Sequence, residues 1–487
     1  MDEPVMPYSK SRLIANHFIF TIAVICLGSM QFGYHLAELN APQQFLSCSE
    51  FSDKFDEIPY SDTWLGRHNL EQCIPLDSTQ LGTVISMFSV GGLAGSYFAR
   101  VISNKYGRKK SLILGNLLNV VSSWILFASN KYGSLVLGRT LSGFASGVIM
   151  VNVPLFINEI TPLRLKGLMG SMNQVSVNCG ILVTQFVALF YANSYDWRWI
   201  LFVGIVLGLL NLALVLKINE SPKWLCLNDD VFGAELVLLK LRQDREVVVR
   251  EIEEIQNELE PNDSADSTAD PLDGHHDRRS PTLWEYISKK KYSKPRTVIT
   301  MLLMGQQFVG INSIIFYGVK VVNNIAPNWA ISINFGISLM NLAVTIASSA
   351  IVDKKGRKPL LLLSVSIMAI TSFFISVSIT HKLVSLLIIS LFAYIAAFAI
   401  GAGPIPFLII SELSNATDSV TAQSYGTISN WIAVFIIAFC FPFLHDLFGG
   451  YVYTLFSLFA LYFTYYIYKR VPETKGKSNY SQVWSNY

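Results

Sequence analysis

"KYGRKK", residues 105–110, and "KKGRKP", residues 354–359, are two basic stretches built on one Gly-Arg-Lys core, and each follows a long apolar run. One such match carries little weight. Two further pairs occur in the same order: "PLFINEITP" (154–162) with "PFLIISELS" (406–414), and "INESPKW" (218–224) with "RVPETKG" (470–476). Each pair is separated by roughly 250 residues. Three matches in register point to an internally duplicated chain.

Composition says what kind of chain was duplicated. Of 487 residues, 52% are hydrophobic and only 15% charged, where a soluble chain carries about 25%. Apolar runs of roughly 20 residues, the length that crosses a bilayer, lie near 18–37, 80–101, 112–129, 134–155, 172–192 and 197–217. After a polar break they resume near 297–322, 331–352, 359–379, 384–409, 425–445 and 449–468. We number them span 1 to span 12. The expected fold is an all-α membrane protein, with twelve transmembrane helices in two pseudo-symmetric six-helix bundles and short helices between them. "GYHLAELN" after the first run is no small-residue cleavage site, so that run is expected to remain as span 1.

Lysines and arginines crowd the loops after spans 2, 4 and 8 and the segment after span 12. By the positive-inside rule that side is expected to be cytoplasmic, with both termini. The opposite segment, 38–79, is acidic, with Lys54 and Arg67 its fixed cations. It also carries Cys48 and Cys73, which could pair if it faces an oxidising compartment. The expected organisation is a tail 1–17, a bundle 18–217, a cytoplasmic linker 218–296, a second bundle 297–468 and a tail 469–487. Within the linker, 232–260 has helix-forming composition and 261–281 the composition of disorder. His275 and His276 are adjacent rather than at metal-ligand spacing, Cys226 falls in a charged loop, and no basic surface suggests nucleic acid. No metal or cofactor is expected, and no nucleophile–base pair or nucleotide loop suggests an enzyme.

Taken together and in order, "GYHLAELNAPQ", "YGRKK", "GRTLSG", "NEITPLRLKG", "NESPKW", "GQQFVGINSIIFY", "DKKGRKP", "GAGPIPF", "SNW" and "VPETKG" resemble the sugar porters of the major facilitator superfamily, the group of the glucose facilitators. The resemblance covers nearly the whole chain. It looks most like fungal members assigned to the vacuolar membrane, with the plasma membrane as the alternative. It implies transport of a hexose-like sugar by alternating access, by a carrier functional as a monomer in the lipid bilayer. A sugar sensor, which binds without net transport, is the alternative of another class. The short segment after span 12 argues against it.

A sugar is neutral and covered in hydroxyls, each a donor and an acceptor, and carboxamides answer both without bringing a charge into the membrane. In span 5, Gln174, Asn178, Ile181 and Gln185 share one helical face. Interhelical hydrogen bonding competes as the reason for Asn178 and Gln185. Gln174 stands where the family's sugar-binding glutamine stands. In span 7 the resemblance implies that Gln306, Gln307 and Asn312 bind hexose. Gln306 and Asn312 do not share a straight-helix face, so a break near Gly310 is expected. Asn341 and Asn430 complete the pattern, and Trp431 is expected in the cavity wall or its packing. "GAGPIPF" is a candidate hinge. Phe407 stands where the family usually has tryptophan, and Ala399 where it has glutamate. Phe308 and Val309 replace the Leu-Ser common in glucose-selective members.

The family's gating charges carry over to Arg108, Glu159, Lys166, Glu220, Arg357, Glu412 and Glu473, and are expected to form ion pairs between bundles. Lys166 replaces the usual arginine and loses its bidentate fork. No arginine follows Glu412, so the second half of the lock is expected to be weaker. Proton-coupled members carry aspartate at the position of His35, acting with the span-4 arginine, here Arg139; facilitators carry asparagine. Burial and the like charge of Arg139 push a histidine toward neutrality, so His35 favours facilitated diffusion. The rival reading makes His35 a pH-sensitive element in a proton-coupled symporter or antiporter of a sugar, polyol or other neutral solute. Glu38 is read as a wet helix end, with partnership to His35 as the alternative.

Overall fold

The computed structural model describes residues 15–49, 59–162, 165–242, 244–259, 281–323, 329–415, 417–477 and 480–485. Most of the N-terminal tail, Lys54, and the linker stretch holding His275 and His276 lie outside the described residues.

Twelve helices are long and apolar enough to cross a membrane. They run Asn16–Ala37, Thr79–Tyr106, Arg108–Phe127, Tyr132–Ile160, Lys166–Tyr191 and Trp197–Val215, then Lys290–Val319, Ala330–Lys355, Arg357–Thr380, Val384–Glu412, Ser419–Phe441 and Phe443–Arg470. Several extend beyond the apolar runs, because an apolar run marks only the lipid-embedded part of a helix. Span 2 therefore carries its helix on to Tyr106, and Gly107, at φ +92°, turns the chain into span 3 at Arg108. Gly356, at φ +93°, makes the same turn between spans 8 and 9. We call this end of the molecule the basic face. The opposite end carries the Cys48–Cys73 disulfide, with Cα atoms 5.3 Å apart, and is called the disulfide face.

Small residues let the helices touch backbone to backbone. A Cβ on Gly143 of span 4 would stand 1.9 Å from the Phe88 carbonyl of span 2, and one on Gly180 of span 5 would stand 1.9 Å from the Met30 carbonyl of span 1. Such contacts replace the hydrophobic effect, which gives no drive between helices already in lipid.

Two helices are broken where the sequence indicates. Span 7 consists of Ser293–Phe308 and Ile311–Asn323, with Gly310 at φ +100° between them. Span 10 runs as an α-helix to Ala397, widens into a π-turn over Phe398–Ala402, and restarts at Ile405 after Pro404. Between the halves lie short helices Pro222–Leu227, Val231–Leu241, Arg245–Leu259 and Leu283–Ser288. The first three bury a small core of Cys226, Ala234, Leu238, Val248 and Ile252. Cys226 is thus a packed residue of a helix rather than part of a charged loop.

A side chain at Gly310 would force a left-handed backbone on a non-glycine residue and place its Cβ 2.4 Å from the Phe456 ring. Gly310→Ala is expected to lower stability by about 1–3 kcal/mol. Gly133→Ala, where a Cβ meets nothing within 4 Å, serves as the control. Thermal unfolding in detergent should show a clearly lower midpoint for the first variant only.

Candidate functional site

The breaks in spans 7 and 10 face each other, and side chains fill the unsatisfied backbone between them. Gln306 Nε2 donates to the carbonyls of Ala402 at 2.7 Å and Gly403 at 3.3 Å. Gln307 Nε2 donates to Asn430 Oδ1 at 2.6 Å and Gln306 Oε1 at 3.2 Å. Asn312, beyond the Gly310 break, donates to Gln307 Oε1 at 2.7 Å. On the other side, Gln174 donates to Asn178 at 3.1 Å, and Asn178 donates across the bundles to Asn341 at 3.1 Å and Thr345 at 2.8 Å.

These groups surround one cavity between the two halves. Gln174, Ile181, Gln306, Gln307, Asn312, Asn341, Phe407, Asn430 and Trp431, singled out in the sequence, all line it, as does Asn178. Gln185, Phe308, Val309 and Ala399 do not line it. Phe308 instead packs edge-on against Phe459. The sequence reading missed Phe32 and Phe398, which complete the aromatic wall. The signal for Phe398 was its place in the broken segment of span 10. Trp431 meets Phe32 and Phe88 edge to face at 5.8 and 5.4 Å, and its indole nitrogen, although buried, has no partner. The cavity therefore offers amide donors and acceptors, apolar rings and no charged side chain.

At the basic face, two matching charge clusters close on themselves. Arg108 holds Glu159 with a fork of hydrogen bonds, the shortest 2.7 Å. Glu220 accepts the backbone N–H groups of Arg108 at 2.8 Å and Lys109 at 3.1 Å, capping the start of span 3. In the second half Arg357 holds Glu412 at 2.7 Å, and Glu473 caps span 9 through the N–H groups of Arg357 and Lys358. Burial pushes Glu220 above the usual carboxylate range, opposed by those backbone N–H groups.

Each of these ion pairs lies within one bundle. The expected Arg–Glu pairs between bundles do not form among the described residues, because each arginine's reach is taken up by the glutamate at the end of its own neighbouring helix. The contact between halves is made by Asp353, which the sequence reading passed over: its carboxylate accepts the Leu168 N–H at 2.9 Å while holding Arg357 at 3.2 Å. It thus caps the start of span 5, where Lys166 is half-buried. Ser424 adds a second crossing, donating to the Ser96 carbonyl at 2.6 Å. The two arginine–glutamate pairs are equally short at 2.7 Å, and the Glu412 side chain is 16% exposed against 3% for Glu159.

Near the disulfide face, His35, Glu38 and Arg139 form one buried cluster. His35 Nδ1 lies 2.9 Å from Glu38, and Arg139 donates to Glu38 at 2.8 Å and to the His35 carbonyl at 2.8 Å. The guanidinium also lies 4.4 Å from the Phe88 ring. Glu38 is fully buried, so the reading of a wet helix end is wrong. The helix ends at Ala37, but the turn that follows folds back beneath the bundle and keeps the carboxylate inside. Arg139 therefore faces an acid after all, one turn beyond the position where the sequence presents a histidine.

Comparison with known proteins agrees with this architecture. Residues 21–484 match the family model described as "Sugar (and other) transporter". The chain is 51% identical to a probable metabolite transport protein of Saccharomyces cerevisiae, over 100% of this chain and 99% of that one. It is 44% identical to vacuolar protein sorting-associated protein 73 of the same yeast, over 96% of each. It is 28% identical to the human facilitated glucose transporter member 4 of solute carrier family 2, over 96% of this chain and 90% of that one. Among solved structures, the proton:xylose symporter XylE bound to 6-bromo-6-deoxy-D-glucose superposes with a TM-score of 0.77 at 22% identity, over 95% of this chain and 97% of that one. That likeness bears on the fold.

Removing the Asp353 carboxylate should loosen the basic face. Asp353→Ala loses a charge-assisted bond, discounted here for partial exposure to about 1 kcal/mol, or roughly fivefold in the closed population. Spin labels at the exposed positions Lys110 and Lys354 should report a larger fraction of long distances. An unchanged distribution would show that Asp353 does not hold the halves together.

Proposed function

The chain belongs to the sugar (and other) transporter family, a family of membrane carriers rather than enzymes, and on that premise we propose that it carries a hexose-like sugar by alternating access. The observation that carries this reading is the convergence of uncharged carboxamides from both halves on one cavity. A sugar must shed its hydration on entering the membrane, and each hydroxyl then needs a new donor or acceptor. Gln174 and Asn178 offer these from one half, and Gln306, Gln307, Asn312, Asn341 and Asn430 from the other. Phe32, Phe398, Phe407 and Trp431 cover the C–H faces. Hexose rather than another neutral solute is supported by this chemistry and by the glucose-transporting relative.

In this reading the breaks at Gly310 and at Gly403–Pro404 are the hinges that let spans 7 and 10 close around the sugar. The Arg108–Glu159 and Arg357–Glu412 clusters, with Glu220, Glu473 and Lys166, brace the ends of the two bundles as rigid bodies, and Asp353 is the contact that breaks when the basic face opens. That face is taken as cytoplasmic from its charge. Residence in the vacuolar membrane is supported by the yeast relative whose name refers to that organelle.

The Glu38 carboxylate beside Arg139 changes the expected mode. The sequence favours facilitated diffusion because burial and the like charge of Arg139 push a histidine toward neutrality. With Glu38 in contact, a carboxylate stands beside Arg139 as in the proton-coupled members, which supports proton coupling.

Uptake of labelled sugars by the reconstituted protein, with and without a pH gradient, tests both parts. A hexose should be taken up saturably, faster down an inward proton gradient, and should carry protons with it. Glu38→Gln should abolish the gradient dependence and leave sugar exchange intact. Gln307→Ala should raise half-saturation about tenfold, the effect of a lost buried hydrogen bond of about 1.4 kcal/mol. Uptake indifferent to pH in both forms would return the reading to facilitated diffusion. Binding without uptake would favour a sensor.

A further inference from the structure

The linker rejoins the second bundle through the short helix Leu283–Ser288 and the start of span 7, and that segment is held at several points. Thr282 and Glu285 close a capping box: the Glu285 N–H donates to Thr282 Oγ1 at 3.2 Å, and the Thr282 N–H donates to the Glu285 carboxylate at 2.7 Å. The Pro281 carbonyl accepts from Thr421 of span 11 at 2.8 Å and from Arg100 of span 2 at 3.4 Å, so the segment is pinned where the two bundles meet. The buried Tyr286 ring stacks on Tyr292 at 4.8 Å and lies 5.5 Å from the Tyr425 ring. Arg296 donates to the Tyr286 carbonyl at 3.0 Å and ties the helix back to span 7.

With Tyr286 turned inward, the other face of the helix is turned outward. Trp284 and Ile287, three residues apart and so on one face, are 75% and 40% exposed. Just beyond stand Lys289, Lys290, Lys291 and Lys294, all exposed. Residues 281–296 carry five cations and one acid. That acid, Glu285, lies 3.3 Å from Lys289, and Asp418, buried before span 11, is the acid that faces Lys291. Positive charge stays in excess with both acids counted. The membrane-length helix of span 7 begins at Lys290, so the patch stands at the level of the lipid headgroups. Lysines alone are enough to orient a span. An exposed tryptophan and isoleucine add nothing to orientation. A tryptophan is favoured at a membrane–water boundary, where its amphipathic ring lies among the headgroups, and lysines there meet lipid phosphates.

We propose that residues 283–294 form a binding site for the headgroup of an anionic phospholipid in the leaflet at the basic face. The ammonium groups of Lys289, Lys290 and Lys291 hold the phosphate and the further anionic group of such a lipid, and Lys294 adds its charge a turn along span 7. Trp284 and Ile287 lie against the glycerol and upper acyl region beside it. This pair is why the occupant is a lipid rather than a free phosphate: apolar side chains next to the lysines gain contact only from a ligand with an apolar part. The pinning at Pro281 and the inward Tyr286 keep both halves of the patch facing outward together. The site rests neither on the identity of the sugar nor on whether its transport is coupled.

Native mass spectrometry of the full-length protein, released from detergent holding equal amounts of phosphatidylserine and phosphatidylcholine with the same acyl chains, tests it. Each lysine near an anionic headgroup is worth about fivefold, so the first lipid retained should be phosphatidylserine by about tenfold or more. Lys289→Gln, Lys290→Gln and Lys291→Gln combined should bring that preference to within about twofold. Lys105→Gln, Lys354→Gln and Lys355→Gln combined remove the same charge from the same face and should leave it intact. Trp284→Ala, which changes no charge, should lower the retention of phosphatidylserine. Equal retention of the two lipids by the unaltered protein overturns the proposal without need of any variant. So does a loss of preference as complete in the second triple variant as in the first, because any lysines of that face would then serve. Displacement of the lipid by soluble glycerophosphoserine in excess also overturns it, since the ligand would then be the phosphate alone. A failure of sugar uptake would leave this result standing, because no sugar enters the measurement.

Discussion

Hydrocarbon offers no hydrogen-bond partner, and that single constraint decides where the polar groups of this chain can go. A carboxamide in a spanning helix must meet another polar group of the protein or water. Gln306 meets the carbonyls freed by the break in span 10; Gln307 meets Asn430 and receives Asn312 across the break in span 7. The broken helices and the amides are therefore one arrangement. Without the breaks Gln306 and Asn312 point apart, and without the amides the freed carbonyls at Ala402 and Gly403 have no donor.

The same constraint separates three polar regions by what they hold. The central cavity holds neutral amides and rings, suited to an uncharged hydroxylated molecule. The basic face holds arginine–glutamate pairs closed within each half, while Asp353 and Ser424 cross between the bundles. Asp353 is the asymmetric member: its counterpart in the first half is Asn104, and the aspartate alone reaches across to the other bundle. The cluster of His35, Glu38 and Arg139 holds buried charges near the disulfide face, and it touches the cavity wall through Phe88, which packs on both Arg139 and Trp431.

Much of this was legible in residues. The three repeated motifs and the apolar runs led to twelve helices in two halves, since both signals are set by bilayer thickness and duplication. The amides of the cavity were legible because a carboxamide in a membrane helix stands out against its neighbours. Gly310 and the paired prolines of span 10 marked the breaks. What the sequence hid was direction. Glu38 sits beyond the apolar run, so its burial depended on a turn that periodicity does not describe. Asp353 sits among lysines and reads as one more loop charge, and its partner is a backbone N–H, which leaves no trace in side-chain patterns. Phe32 and Phe398 are ordinary aromatic residues until the cavity is assembled around them.

The central claim is that the cavity recognises a sugar by replacing its hydration, hydroxyl by hydroxyl. Competition of singly deoxygenated hexoses against the labelled parent sugar measures this most directly. If amides bind the hydroxyls, at least two of the deoxy sugars should compete about tenfold or more weakly, because each leaves a buried donor or acceptor unpaired. If every deoxy sugar competes as well as the parent, the amides serve only to hold the helices together and the account is wrong.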